Sequence, residues 1–415
     1  MSFLTLDEAK VAKKTVLLRV DINVPYDLEK KEIQDSERIR EHAKTIKELA
    51  DKNARVVIIA HQGRKGEPDF IHLDQHAKLL SKYVGKEVQF VDDVIGEKAI
   101  KKIKALKPGE ILLLDNVRFL EEETEEKSSK EHAKSKLIKK LAKVVDVFVN
   151  DAFSASHRSH ASIVGFTEVL PSYAGRIMEK ELKSEERALD PLGINVFVLG
   201  GAKPDDCLNI IDHMFKNMPG SIEKVLTCGT VGEIFLAAKG YDLGKETKEF
   251  FAKKGFDKLI DQAKELLKKY ELEIEFPVDV AFEENGNRKE IPVEKLPTEN
   301  LLQDIGTETA KKYGEIIKKA RSVVVKGPAG VYEKQGFEVG TKLILEAIAN
   351  SKAFSLIGGG DTLVAIEKLG LDKSKFSYIS LGGGALITSL SGKGMPGVEA
   401  LIRSAKKIKK KRSKK

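Results

Sequence analysis

The chain has 415 residues, too many for one hydrophobic core of ordinary size, so two or three domains are expected. With 41% apolar and 33% charged residues and no apolar run of membrane-spanning length, it reads as a soluble protein without a secretory leader or membrane span. The two cysteines, Cys207 and Cys228, have no metal-type spacing, which argues against a disulfide scaffold or zinc site and for a reducing cytoplasm. The net charge of +8 belongs to the end of the chain: residues 403–415 carry nine lysines and arginines and no acid, so the tail is read as a solvated helix end rather than a nucleic-acid site.

Four apolar, β-branched runs in the first half read as buried parallel strands, each leading into polar residues. TVLLRV leads to Asp21, Asn23 and then Arg38; ARVVIIA leads to His61, Gln62, Gly63 and Arg64. EILLL leads to Asp115, Asn116 and Arg118; VVDVFV leads to Asn150, Asp151, His157, Arg158 and His160. Segments between them, such as RIREHAKTIKELADK and KSKLIKKLAK, have helical periodicity. Open α/β sheets bind ligands beyond the carboxyl ends of their strands, so arginines after four strands converge there. Bidentate guanidinium forks suit a small ligand carrying a phosphate and a carboxylate. His72 and His76 are spaced i, i+4 but lack the acidic context of a metal helix and are read as surface or packing residues. Residues 176–190, RIMEKELKSEERALD, read as a charged amphipathic connector and hinge ending at Pro191.

In the second half the strand ends carry glycine instead of arginine. INVFVL meets Gly200, Gly201 and Lys203; EKVLTC meets Gly229 and Gly232; SVVVK meets Gly327, Pro328 and Gly330. AFSLI runs into three glycines, Asp361 and Thr362, and FSYISL into Gly382, Gly383 and Gly384. Glycines in strand-to-helix turns let backbone N–H groups approach an anion at a helix N-terminus. Neither a P-loop nor a G-x-G-x-x-G fingerprint occurs, so a polyphosphate site lined by backbone is expected, with Asp361 positioned for a hard cation. AFEENGNRKEIPVEKLP reads as an irregular insertion or a hairpin turned by Asn285 and Gly286. One half that grips a small anion and another that cradles phosphates predict phosphoryl transfer. The strand-end carboxylates sit beside arginines and look like orienting groups, so no base for a hydroxyl acceptor stands out. A carboxylate acceptor, which needs none, is favoured.

In order and spacing, RVDINVP, SERIR, AHQGR, LDNVRF, FVNDAFSASHRSHAS, GGAK, KGPAGVYE, GGGDT and SLGGGALITSLSGKGMPG resemble the phosphoglycerate kinase family across the whole chain, in its archaeal form. The resemblance implies an α/β fold of two doubly wound parallel-sheet, Rossmann-like domains joined by a hinge helix. The expected divisions are 1–175 for 3-phosphoglycerate, 176–191 for the hinge, 192–395 for the nucleotide, and 396–415 returning to the first domain with the basic tail. It implies that Asp21, Ile22, Asn23, Arg38, His61, Gln62, Gly63, Arg64, Arg118 and Arg158 bind 3-phosphoglycerate or 1,3-bisphosphoglycerate. Gly201, Lys203, Lys326, Glu333, Gly359, Gly360, Asp361 and Thr362 would bind ADP or ATP, with Asp361 on Mg²⁺. Arg38 and Lys203, with backbone donors at Gly383 and Gly384, would stabilise the phosphoryl group in flight, in a cytoplasmic monomer or homodimer that closes about its hinge. Three positions depart from the family pattern: Cys207 replaces a usual lysine, Lys326 a usual asparagine and Leu381 a usual threonine. Lys326 is expected to restore the charge missing at Cys207. A nucleotide-sugar glycosyltransferase and a nucleic-acid binder acting through residues 403–415 are the rival readings.

Overall fold

The apolar runs of the first half become strands of one parallel sheet. In the computed structural model, which describes residues 3–189 and 194–413, these are β1 (Thr15–Arg19), β2 (Arg55–Ile59), β3 (Val88–Val91), β4 (Ile111–Leu114), β5 (Val147–Asn150) and β6 (Ser172–Ala174). Their order is β3-β4-β2-β1-β5-β6, with every pairing parallel. Successive side chains of a strand point to opposite faces, and both faces are buried here. Val16, Leu18, Val56, Ile58, Ile111 and Leu113 pack on Ile39 and Ile46 of α1 (Glu37–Asp51) and Leu80 of α2 (Asp74–Val84). Leu17, Val57, Ile59, Leu112 and Leu114 pack with Ile103, Ile138 and Phe166 on the other face. That is why the strands read as continuous apolar runs rather than alternating ones.

The chain divides into two compact units, Met1–Leu182 with Gly394–Lys415, and Lys183–Lys393. The division falls within α3 (Arg176–Ala188), the segment read as the connector. At the start of α3, Arg176 is fixed to the first unit by carboxylates of Asp7, Glu48 and Glu179 at 2.7, 2.7 and 2.8 Å. Asp190, Pro191 and Leu192, where the connector was expected to end, lie outside the described residues.

The second unit is built on β7 (Asn195–Leu199), β8 (Ile222–Thr227), β9 (Ile274–Glu275), β13 (Ser322–Lys326), β14 (Phe354–Gly358) and β15 (Tyr378–Ile379), in the order β9-β8-β7-β13-β14-β15. Between β9 and β13 lie β10 (Asp279–Glu284), β11 (Asn287–Pro292) and β12 (Leu302–Ile305), a small antiparallel sheet. The insertion is therefore a hairpin, turned at Asn285 (φ 52°) and Gly286 (φ 76°), the two positive-φ residues that match strand twist. Strand order reverses beside β1 in the first sheet and between β7 and β13 in the second, the places where such sheets open a crevice. Loops after β7, β8, β14 and β15 feed α4 (Pro204–Asn217), α5 (Gly229–Lys239), α6 (Gly360–Lys368) and α7 (Gly384–Leu390).

The last helix, α8 (Pro396–Arg412), packs on β6 of the first unit, and the Gly397 N–H donates to the Ser156 carbonyl at 2.9 Å. Part of its positive charge is met there, since Lys407 Nζ lies 2.6 Å from Glu168 Oε2. No helix of the described residues is long and apolar enough to cross a membrane.

Candidate active site

Beyond β1 the chain turns through Asp21 and Asn23, and α1 fixes that turn. His42 accepts the Asp21 N–H on Nε2 at 3.1 Å, while its Nδ1 lies 3.1 Å from Asp151 Oδ2. Asp21 in turn faces Arg38, with Nη1 2.6 Å from Oδ2, and accepts the Ser154 hydroxyl. Burial opposes ionisation of Asp21, but Arg38 leads the cations that overcome it and hold the carboxyl well below the usual carboxylate range. Asp21 is thus an orienting anion and a poor base.

Arg64, Arg118 and Arg158 line a cleft of about 720 Å³ together with Phe70, Phe119 and His160. The same three arginines border a second cleft of about 590 Å³ that reaches Asn23, His61 and Gly63. Arg118 donates from Nη1 to the Gly63 carbonyl, while its buried Nε has no partner among the described residues. Burial, reinforced by Arg19 and Arg158, pushes its guanidinium down to about 10, still cationic at neutral pH. His61 and His160 are neutral there: burial and the nearby arginines hold His61 well below its ordinary value and His160 at about 3. The guanidinium groups, with the exposed Lys65 ammonium at the rim, and not the histidines, therefore carry the positive potential of the clefts.

The sequence reading missed Arg19. Fully buried at the end of β1, it donates from Nε to Ser162 Oγ at 2.8 Å and lies 2.9 Å from His61 Nδ1. Behind it Glu123 accepts the Ser162 N–H and hydroxyl at 2.8 and 2.7 Å. The available signal was a charged residue inside the otherwise apolar run TVLLRV.

Two expected substrate residues point elsewhere. Ile22 is buried in the core, and Gln62 is fully buried, exchanging two 2.9 Å hydrogen bonds with the Val24 backbone and lying 3.2 Å from His76. Their side chains hold the loops, leaving only backbone for a ligand. Asn23 Oδ1 accepts the Gly63 N–H at 2.8 Å, and the Asn116 amide ties Gln62 and Ile71 carbonyls at 2.7 and 3.0 Å. His72 and His76 do not share a partner: His76 turns inward, and His72 lies 2.5 Å from Asp115 Oδ2.

In the second unit the loops after β7 and β13 lie against each other. Gly200 donates to the Lys326 carbonyl at 2.8 Å and Gly201 to the Pro328 carbonyl at 2.9 Å. Only glycine serves at Gly327, whose φ is +80° and whose Cβ would fall 2.3 Å from the Gly200 oxygen. Thr362 is buried, and its hydroxyl links the Gly327 N–H to the Gly358 carbonyl at 3.0 Å each, so it braces the turn. Gly359 (φ +93°) leads into α6, with Gly360 and the exposed Asp361 in its first turn; Gly383 precedes α7, which Gly384 begins. Lys203 is exposed, while Lys326 is buried, with Nζ 3.2 Å from the Lys203 carbonyl and 3.2 Å from Cys207 Sγ. A pocket of about 290 Å³ runs from Gly201 and Pro328 past Phe250, Leu301 and Val331 to Glu333 and Asp361. Among the described residues no group of three or more His, Cys, Asp or Glu side chains could hold a metal ion.

The phosphoglycerate kinase family model matches residues 6–393. The phosphoglycerate kinase of Methanosarcina mazei is 46% identical over 96% of this chain and 95% of its own length. That of Methanothermobacter thermautotrophicus is 45% identical over 97% of both chains. A crystal structure of the Pyrococcus horikoshii enzyme is similar with a TM-score of 0.87 and 38% identity, covering 97% of this chain and 99% of that one. The structure of the Coxiella burnetii enzyme is similar with a TM-score of 0.83 and 30% identity, over 97% and 100%.

Proposed function

Since the chain belongs to the phosphoglycerate kinase family and so catalyses reversible phosphoryl transfer between 1,3-bisphosphoglycerate and ADP, we propose that the arginine clefts hold the phosphoglycerate and the glycine-lined pocket holds the nucleotide. The observation that carries this reading is the set of three guanidiniums common to both clefts, with the Arg118 Nε left without a partner. A ligand with a phosphate at one end and a carboxylate at the other engages separate forks, and each charge-assisted bond is about twice as strong as a neutral one. Asn23 and His61 complete the rim as neutral hydrogen-bonding groups, and Gly63 offers backbone.

Arg38, oriented by Asp21, neutralises charge on the phosphoryl group as it leaves or joins the substrate carboxylate. That carboxylate is already an anion, so the reaction needs no general base, in keeping with an Asp21 held ionised beside cations. On the nucleotide side, N–H groups of Gly359, Gly360, Gly383 and Gly384 receive phosphate oxygens at helix starts. Gly201 lines the base end, Glu333 accepts from the ribose hydroxyls, and Lys203 and Lys326 add charge near the transferred group. Thr362 acts by holding the turn. Asp361 fits Mg²⁺, which commonly uses one carboxylate together with phosphates and water rather than an all-protein cage. When bound, the ion supplies charge neutralisation between phosphate oxygens. Buried free thiols at Cys207 and Cys228 suit a reducing cytoplasm.

The test is a coupled assay with ATP, Mg²⁺ and 3-phosphoglycerate, following NADH loss through glyceraldehyde-3-phosphate dehydrogenase, with Arg118→Ala and Asp361→Asn beside the parent. Turnover should require all three components, Arg118→Ala should raise KM for 3-phosphoglycerate, and Asp361→Asn should raise the Mg²⁺ requirement. Variants that match the parent in both respects would remove these residues from the site.

A further inference from the structure

Glu233 is chemically out of place in the nucleotide pocket. It lies in the middle of α5 among the buried apolar residues Val231, Ile234, Phe235 and Leu236, yet it lines the pocket and is only 7% exposed. Among the described residues no donor or cation reaches its carboxyl: burial is the sole influence on its ionisation and pushes it up to about 8. Helix α5 packs on α4, the helix Asp257–Tyr270, β8 and β12, and no charged group on any of these enters that ionisation. Nor do Tyr332, Glu333 and Asp361, the other ionisable groups of the pocket. Burying an acid without a partner costs far more than burying a methylene, and the packing of α5 would be served by any apolar side chain. The partner must therefore come from what enters the pocket.

We propose that Glu233 reads the nucleobase: as a neutral carboxylic acid it accepts one hydrogen bond and donates another along the edge of a 6-aminopurine, and so sets the base preference of this kinase. A neutral carboxyl holds a donor and an acceptor on one planar group. The adenine edge presents an amino donor beside a ring-nitrogen acceptor, its complement. The flanking apolar walls of Phe250, Leu301, Pro328 and Val331 suit the faces of a flat heterocycle. Once ionised, the group could only accept, which matches the two adjacent N–H donors of guanine and no longer matches adenine. The inference rests on the nucleotide occupying this pocket.

The test is KM for ATP and for GTP at pH 6.5 and 8.5 in the parent, Glu233→Gln and Glu233→Leu, with Asp361→Asn as a separate probe of the phosphate end. The shared triphosphate cancels in the ATP-to-GTP ratio. In the parent the preference for ATP should fall at least about fourfold between the two pH values, following the neutral fraction of a group titrating near 8. Glutamine, a permanent donor–acceptor pair, should abolish that pH dependence. Leucine should raise KM for ATP roughly tenfold, the scale of one or two lost hydrogen bonds, with the effect on KM rather than on kcat. An unchanged ratio in both variants overturns the proposal. If Asp361→Asn alone raises KM for ATP, only the base reading fails; if neither end responds, the assignment of the nucleotide to this pocket fails with it. Should the leucine variant misfold, the pH dependence of the glutamine variant decides.

Discussion

Replacing Lys326 with asparagine probes the nucleotide site through a single charge. Lys326 ends β13 at the switch point between β13 and β7, and among the described residues the carboxylate that pairs with its ammonium is that of Asp206, 3.9 Å away on a side chain 37% exposed. A unit charge at about 4 Å is worth roughly 4 kcal/mol at an effective dielectric of 20. Exposure of Asp206 cuts that to about 1 kcal/mol or less. Cys207, at 3.2 Å, supplies no countercharge, because burial outweighs Lys326 and raises the thiol above its ordinary value. Apart from the Lys203 carbonyl at 3.2 Å, the ammonium is thus buried with little compensation, which a phosphate would supply under the proposed placement of the nucleotide. A hydrogen bond to a charged group contributes about 1.5–3 kcal/mol, roughly 10- to 150-fold in an equilibrium constant. Lys326→Asn should therefore raise KM for ATP by roughly 10- to 100-fold and leave KM for 3-phosphoglycerate near its parental value. Initial rates against each substrate, with the other saturating, separate the two. The double variant Cys207→Lys with Lys326→Asn returns the lysine to its usual family position and should recover most of the loss. An ATP KM within threefold of the parent in the single variant would refute the reasoning, as would equal losses for both substrates.

Arg38→Ala should lower turnover by roughly 10² or more, the scale of removing one transition-state donor, and turnover within threefold of the parent would take Arg38 out of the mechanism. A methyl group at Gly360 or Gly384 meets no protein atom within 4 Å. Gly360→Ala and Gly384→Ala should therefore fold with a Tm close to the parent's while KM for ATP rises about tenfold, because the methyl occupies space that phosphate oxygens need; a parental KM would show that phosphate does not approach there. Glu185 has Oε1 2.6 Å from Ser389 Oγ and a buried Oε2 without a hydrogen-bond partner among the described residues, and burial pushes its carboxyl up to about 7. The folded chain then keeps a proton that the unfolded chain releases between its ordinary value of 4.5 and about 7, so this group's contribution to stability falls as pH rises through that window. Glu185→Gln should gain about 2–3 kcal/mol over the parent between pH 5 and 8 in urea unfolding; equal pH dependence in the two proteins would contradict the assignment.

The strands were legible because this fold buries them on both faces: INVFVL and ARVVIIA each carry a single polar residue, Asn195 and Arg55, at the second position, and are otherwise unbroken apolar runs. The pieces that escaped notice are the half-exposed VQFV of β3, the three-residue β6 and the two-residue β9, all too short or too mixed for periodicity to register. At the strand ends, sequence showed which residues gather but not which way they face. Gln62 and Arg64 are two positions apart, yet one side chain is locked onto Val24 and the other lines both clefts. Arg19 escaped a rule that looks past the end of a strand, since it sits on the last strand residue and supports the site from inside. Glu233 escaped more completely, because an acid in GTVGEIFLAAK reads as the solvent position of an amphipathic helix and becomes anomalous only when packing buries it. Such residues share one property. Hydrogen-bond satisfaction is decided by the whole tertiary arrangement, so a composition can show that a chain has acids, amides and guanidiniums but not which of them the fold leaves without partners. Among the described residues the Arg118 Nε, the Lys326 ammonium and the Glu233 carboxyl are buried with incomplete protein partners, a property that only the folded arrangement reveals.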